Sequence, residues 1–183
     1  MPQGALFREE RDGATYALLT LFPPVGPEVE SSRLPREVVY VIDTSGSMEG
    51  LSIQQARKAL ALAVERLGPD DRFNVIQFNS VTQALWSDTR PATPENRGAA
   101  RRWVERLAAQ GGTEMAGALE AALVGSDDPR LVRQVVFLTD GSVGNEAQLF
   151  TIIKERLGDT RLFTVGIGSA PNSHFMTKAA QFG

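Results

Sequence analysis

The run Glu37-Val38-Val39-Tyr40-Val41-Ile42, continuing straight into Asp43-Thr44-Ser45-Gly46-Ser47, decides the fold. Its apolar part is unbroken and rich in β-branched residues. A strand with one wet face would alternate, whereas a strand covered on both faces reads as a continuous apolar run. The stretch then stops abruptly in small side chains that carry oxygen. Moving outward, the same grammar recurs. Arg72 to Phe78 (RFNVIQF) reads as a second strand, and Gln134 to Thr139 (QVVFLT) and Arg161 to Gly166 (RLFTVG) as further buried strands. Helical periodicity fills the gaps. Ser52 to Leu67 carries Ala56, Ala59, Leu60, Ala63 and Leu67 at helical spacing and is stopped by Gly68-Pro69. Pro94 to Ala109 follows Thr93 as N-cap. Thr113 to Val124, Glu146 to Leu157 and Asn172 to Phe182 complete the helices. Val81 to Trp86, after an Asn79-Ser80 turn, reads as an antiparallel edge strand. Strand and helix in alternation predict an α/β fold: a doubly wound, Rossmann-like, mostly parallel sheet with one antiparallel edge strand and helices on both faces.

Upstream of this pattern lies a shorter one. Leu6 to Glu10 and Thr15 to Phe22 flank Asp12-Gly13, a tight-turn dipeptide, and predict a hairpin. Pro23, Pro24, Gly26 and Pro27 end it, and 28–35 reads as a linker. The expected organisation is therefore a hairpin and linker over 1–35 and the α/β domain over 36–183.

Bulk properties exclude several classes. With 42% hydrophobic residues in 183, the chain has material for a sizeable core. A net charge of −3 without a basic stripe gives no sign of a nucleic-acid partner. No apolar run approaches the ~20 residues that span a bilayer, so no membrane insertion of this segment is expected. There is no cysteine, which rules out disulfides and thiolate chemistry, and the single histidine, His174, rules out a histidine-rich metal site.

In parallel sheets covered on both faces, ligands bind beyond the carboxyl ends of the strands, where strand order reverses. Three loops should meet there. One carries Asp43, Ser45 and Ser47; one carries Gly111-Gly112-Thr113; one carries Asp140-Gly141-Ser142. The pooled donors are carboxylates and hydroxyls, without sulfur or imidazole. Hard oxygen donors with small side chains suit a divalent cation, Mg²⁺ first and Mn²⁺ or Ca²⁺ after it. Two aspartates with neutral hydroxyls would leave such an ion strongly electrophilic, so that it seeks one more anionic oxygen, such as a carboxylate of another molecule.

These residues resemble the von Willebrand factor A domain family, whose pattern is D-x-S-x-S after the first strand, Thr on a later loop and Asp after the fourth strand. Here they are Asp43-Thr44-Ser45-Gly46-Ser47, Thr113 within GGTEM and Asp140 within FLTDGS. The resemblance covers about 36–183 and implies a metal-ion-dependent adhesion site. It implies that Ser45, Ser47 and Thr113 touch the ion through their hydroxyls, with Asp43 and Asp140 often acting through water. REVVYVIDTSGSMEG and DRFNVIQFNS are closest to the branch in inter-alpha-trypsin inhibitor heavy chains and bacterial relatives, where the domain follows a β-rich VIT domain. The hairpin would then be the tail of a VIT-like domain, and the setting extracellular, cell-surface or periplasmic. The family's final strand and helix are expected to be missing after 172–182. That would leave a sheet edge open beside 161–166, a place for self-association.

Plainer readings compete at each residue. DTSGS alone is as often an Asx-turn as a site. Asp140-Gly141 alone is more often a turn, and Gly111-Gly112 a hinge. Glu49, Glu114 and Glu146 read as surface or helix-start residues, His174 as incidental, and Trp86 and Trp103 as packing. The alternative function is a metal-dependent hydrolase or phosphotransferase at the same rim, with Asp43 as nucleophile. Such sites add Lys or Arg to hold phosphate, and none occurs in 43–50, 110–116 or 139–146. The expectation is a non-enzymatic module that binds an acidic side chain of a protein partner through the cation.

Overall fold

The computed structural model describes residues 3–22, 34–125, 128–141, 144–168 and 171–182. The chain forms two compact units, Met1–Leu34 and Pro35–Gly183. Most of the expected linker, and Ser142, lie outside the described residues.

In the first unit, β1 (Gln3–Arg11) and β2 (Ala14–Phe22) pair antiparallel from Gln3↔Phe22 to Arg11↔Ala14. The turn places Asp12 at φ 53° and Gly13 at φ 76°. Two successive left-handed residues make the turn whose twist matches the strands, and the Asp-Gly pair supplies them. Leu6, Phe7, Leu18, Leu19 and Leu21 are all exposed.

The second unit is built on β3 (Arg36–Asp43), β4 (Arg72–Phe78), β7 (Val132–Thr139) and β8 (Arg161–Gly166), all parallel. Two short strands, β5 (Thr82–Ala84) and β6 (Arg90–Pro91), pair antiparallel with β4. The order is β5-β4-β3-β7-β8. β3 thus has its earlier neighbour on one side and its later one on the other, which makes its carboxyl end the switch point. Among the described residues, five helices cover the sheet: α1 (Leu51–Glu65), α2 (Pro94–Glu105), α3 (Met115–Leu123), α4 (Glu146–Arg156) and α5 (Ser173–Ala180). Val38, Tyr40 and Ile42 pack with α1 and α2, while Val39 and Val41 pack with α3, α4 and α5. A strand alternates its side chains between faces, so the unbroken apolar run feeds two cores. Among the described residues, no helix is long and apolar enough to cross a membrane.

Several details depart from expectation. The RLFTVG strand, buried by its composition, lies at the sheet edge that the family resemblance implied. Among the described residues only β7 pairs with it, and Phe163 and Val165 are 44% and 40% exposed. The buried stripe of α1 is Ile53, Ala56, Leu60 and Val64; Ala59 faces solvent. The two-residue β6 was not expected, because Pro91 argues against a strand. Helix α2 ends at Glu105 rather than Ala109. Arg106 N tightens back onto Trp103 O, and Gln110 N is committed to Thr44 O. Helix α3 starts at Met115 rather than Thr113: Glu114, at φ −91° and ψ 72°, lies outside the helical region, and its amide donates to Asn79 O at 2.7 Å. In both cases the flanking backbone is bonded at the rim of the sheet.

Candidate metal centre

Asp43 is the last residue of β3 and is fully buried, as are Thr44 and Ser45. One carboxylate oxygen, Oδ1, accepts from Ser45 N at 2.8 Å, closing an Asx-turn. The other, Oδ2, accepts from Thr139 Oγ1 at 2.6 Å. Thr139 ends β7, one strand away, and its hydroxyl also accepts from Gly141 N at 2.9 Å. The Asp43 side chain is therefore fixed from both sides, and Thr139 ties the β3 loop to the β7 loop.

After Asp43 the chain turns through a short 3₁₀ segment, Gly46–Met48. Ser45 and Ser47 then face the same way, their hydroxyl oxygens 3.0 Å apart. Ser47 is exposed and Ser45 is not. Thr44 is anchored beneath: its amide and hydroxyl both donate to Phe78 O, at 2.8 and 3.0 Å, and the hydroxyl also donates to Gln77 Oε1 at 2.5 Å.

The loop before α3 is drawn to the same rim. Gly46 N donates to Gly111 O at 3.0 Å and Gln110 N to Thr44 O at 2.8 Å. Gly111 sits at φ 75°, and a Cβ there would lie 2.8 Å from Ser80 Oγ, so the position needs glycine. Gly112 N in turn donates to Ser80 Oγ at 2.8 Å. Thr113, half-buried, follows directly. On the β7 side, Asp140 is half-buried and its backbone oxygen accepts from Asn172 N at 2.8 Å. Asn172 caps α5, donating through Nδ2 to Gly141 O and to Glu146 Oε1. Burial pushes the Asp43 carboxyl above its ordinary pKa; hydrogen bonds from Ser45 and Thr139 oppose this, and the nearby charge of Asp140 adds to it.

The three loops that the sequence pointed to thus meet at one rim. Thr139, Thr44, Gln77, Ser80 and Asn172 are the supporting residues that sequence reasoning passed over. For Thr139 and Gln77 a signal existed, since each is a polar residue near the carboxyl end of an apolar strand. Glu114 and Glu146 do sit at helix starts, and His174 pairs with Glu146 at 3.3 Å. Trp86 packs edge-on against Phe73, 5.4 Å between ring centres.

Among the described residues no three His, Cys, Asp or Glu side chains converge. The donors that do converge are hydroxyls and carboxylates, and no Lys, Arg or His bonds to Asp43. Adjacent ligands of an octahedral ion with bonds of ~2.1 Å are about 3.0 Å apart. The Ser45 and Ser47 hydroxyls are hydrogen-bonded to each other at 3.0 Å, a separation that adjacent ligands of such an ion share. Hydroxyl and carboxylate donors of this kind suit a small hard cation.

Residues 36–183 match the von Willebrand factor type A domain. The chain belongs to that family. Inter-alpha-trypsin inhibitor heavy chain H4 of Homo sapiens is 34% identical over 160 residues, covering 80% of the chain and 17% of that protein. The chain spans a fifth or less of the curated relatives it matches. Among solved structures, a von Willebrand factor type A protein from Catenulispora acidiphila superposes with a TM-score of 0.76 at 26% identity, over 91% of this chain and 39% of that one. The manganese-loaded TRAP protein of Plasmodium vivax shares the fold, with a TM-score of 0.67 at 22% identity over 81% and 63%. A von Willebrand A domain is thus set on a sheet whose switch point carries the family's D-x-S-x-S sequence.

Proposed function

We propose that this von Willebrand A domain is a protein-binding module that holds a divalent cation, with Mg²⁺ the first candidate and Mn²⁺ and Ca²⁺ the others, and through it captures a carboxylate of a partner protein. The ligands proposed are Asp43, Ser45, Ser47, Thr113 and Asp140. The observation that carries the proposal is the fully buried Asp43 carboxylate, bonded to no basic side chain among the described residues and followed directly by the paired Ser45 and Ser47 hydroxyls. Ser45, Ser47 and Thr113 offer neutral hydroxyl oxygens, while Asp43 and Asp140 supply the negative charge. Thr139 and the Ser45 amide orient the Asp43 oxygens, as outer partners do around metal ligands. A bound cation supplies Lewis acidity towards one further anionic oxygen, which a partner's Asp or Glu satisfies by a charge-assisted contact. The TRAP neighbour is loaded with manganese, and it supports the cation class at the level of fold only. By the same resemblance the domain acts outside the cytoplasm, on a cell surface, in the extracellular space or in a periplasm, as part of a longer protein in which 1–35 closes a preceding VIT-like domain.

Calorimetry with Mg²⁺ and Mn²⁺, followed by melting curves with and without a saturating carboxylate, tests this. One-site metal binding and a further carboxylate-dependent rise in Tm are expected. Metal binding without any carboxylate effect would reduce the ion to a tie between loops. Hydrolysis of a phosphate ester that is lost in Asp43→Ala would replace the binding function with an enzymatic one.

A further inference from the structure

The antiparallel pair α1 and α2 encloses an open groove of 740 Å³ on the flank of the sheet. Two arginines frame it in a reciprocal way. Arg57 of α1 donates to Glu105 O and Leu107 O at the end of α2, while Arg97 of α2 donates to Glu65 O and Leu67 O at the end of α1. Each helix thus caps the other's carboxyl end. Each arginine makes these bonds through one terminal nitrogen to neutral carbonyls, and among the described residues neither forms an ion pair, so their other N–H groups and their charge face the groove. Between them stand Lys58 and Arg101. Arg101 pairs with Glu105 at 3.0 Å, whereas Lys58 makes no ion pair among the described residues. Four cationic and two acidic side chains line the groove, on a chain whose net charge is −3. Its floor is apolar. Leu62 is 48% exposed there, and Ala61 and Gly98 keep the middle shallow.

We propose that this groove is a second docking surface, and that its occupant is an acidic segment of a partner protein carrying an apolar side chain. Lys58 and the framing arginines receive the acids, and Leu62 receives the apolar group. A protein segment fits better than a nucleic acid. A phosphate backbone has no apolar group to set on the exposed Leu62, which an apolar side chain of a protein segment covers. The groove lies on the α1/α2 flank, and none of its residues belongs to the proposed cation site. The two surfaces are therefore independent, and the inference stands or falls without the metal.

The test uses the whole chain in EDTA, which takes the cation site out of play. The probe is a short fluorescein-labelled peptide of glutamates around a central leucine, titrated at physiological salt. Saturable binding is expected, with amide shifts in ¹⁵N spectra confined to α1 and α2. The double variant Lys58→Glu/Arg101→Glu should bind about tenfold more weakly while remaining folded, its Tm falling only by the small amount that an exposed i,i+4 pair contributes. The same reversal at Arg161, on β8, should leave affinity unaltered, because charges beyond ~8 Å are screened. Leu62→Ser should weaken the leucine-bearing peptide and not an all-glutamate one. Shifts spread over other basic residues, unchanged binding by the double variant, or equal binding by an oligonucleotide of matched charge would each overturn the proposal.

Discussion

Thr139→Val isolates the contact that fixes Asp43. The Thr139 hydroxyl donates to Asp43 Oδ2 at 2.6 Å and accepts from Gly141 N at 2.9 Å, and the residue is fully buried. Valine keeps the shape and removes both bonds. A hydrogen bond to a charged group contributes about 1.5–3 kcal/mol, and an orphaned buried amide costs about 1–3 kcal/mol. With some relaxation of the 140–141 backbone, a net loss of about 3 kcal/mol is expected in EDTA. For a domain of this size that lowers Tm by about 6–12 °C. Urea unfolding with an unchanged m-value gives the free energy directly. Thr139→Ser keeps the hydroxyl and should recover most of the loss. Because the hydroxyl orients a proposed ligand from outside the ligand set, Mn²⁺ affinity should also fall about 10- to 100-fold in the valine variant. A valine variant within 0.5 kcal/mol of the parent, or one with parental metal affinity, would mean that Thr139 does not hold Asp43.

Asp43→Ala should abolish Mg²⁺ and Mn²⁺ binding by calorimetry, and a surviving site of parental affinity would refute the ligand assignment. Gly111→Ala forces a side chain into a left-handed position 2.8 Å from Ser80 Oγ, and should cost about 1–2 kcal/mol in chemical unfolding while weakening metal affinity through the Gly46 N–Gly111 O contact. Asp71 accepts from Arg36 and from Gly68 N at the opposite end of the sheet; burial would raise its carboxyl, but these donors outweigh burial and hold it below its ordinary pKa. The folded state therefore binds this proton less readily than the unfolded one, so the stabilisation is present above the ordinary carboxylate range and is lost as pH falls through the depressed value. Asp71→Asn should flatten that acid limb in pH-dependent melting. Asn172→Ala removes the α5 cap and the link to Gly141 O, and should cost about 1 kcal/mol by urea unfolding.

Most of the fold was legible in periodicity. The uninterrupted run at 38–42 required cover on both faces, and it has it. Asp12-Gly13 named its own turn. Misreadings fell where tertiary contacts outbid local preference. Residues 107–110 and Thr113-Glu114 have helical composition, yet Gln110 N is held by Thr44 O and Glu114 N by Asn79 O, on neighbouring loops of the rim. The strand at 161–166 is as apolar as a buried one, and its edge position depends on which strands pair with it, a matter of topology that no local pattern encodes. At the site, the motif positions were readable because they fall at strand ends and on glycine-bearing loops. The residues that hold them were not, because Thr44–Gln77 and Asp43–Thr139 are contacts across strands, 33 and 96 residues apart in sequence.

Those cross-strand contacts also give the rim a direction. Asp43 and Thr44 are buried and bonded downward, Asp43 to Thr139 and Thr44 to Phe78 and Gln77 in the strands on either side, and Ser45 is buried beside them with its amide on Asp43. Ser47 is exposed, and Thr113 and Asp140 are half-buried. Oxygen donors are therefore rigid on the protein side and open on the solvent side. Rigidity matters because a hydroxyl is a weak ligand, and it competes with water only when its position costs nothing to hold. Openness matters because a site closed by protein ligands on every side would leave a partner no place to bind. A purely structural ion has no need of such asymmetry and would be better served by a closed shell. The burial gradient from Asp43 to Ser47 is what a docking point requires, and it favours capture of a partner's carboxylate over a tie between loops.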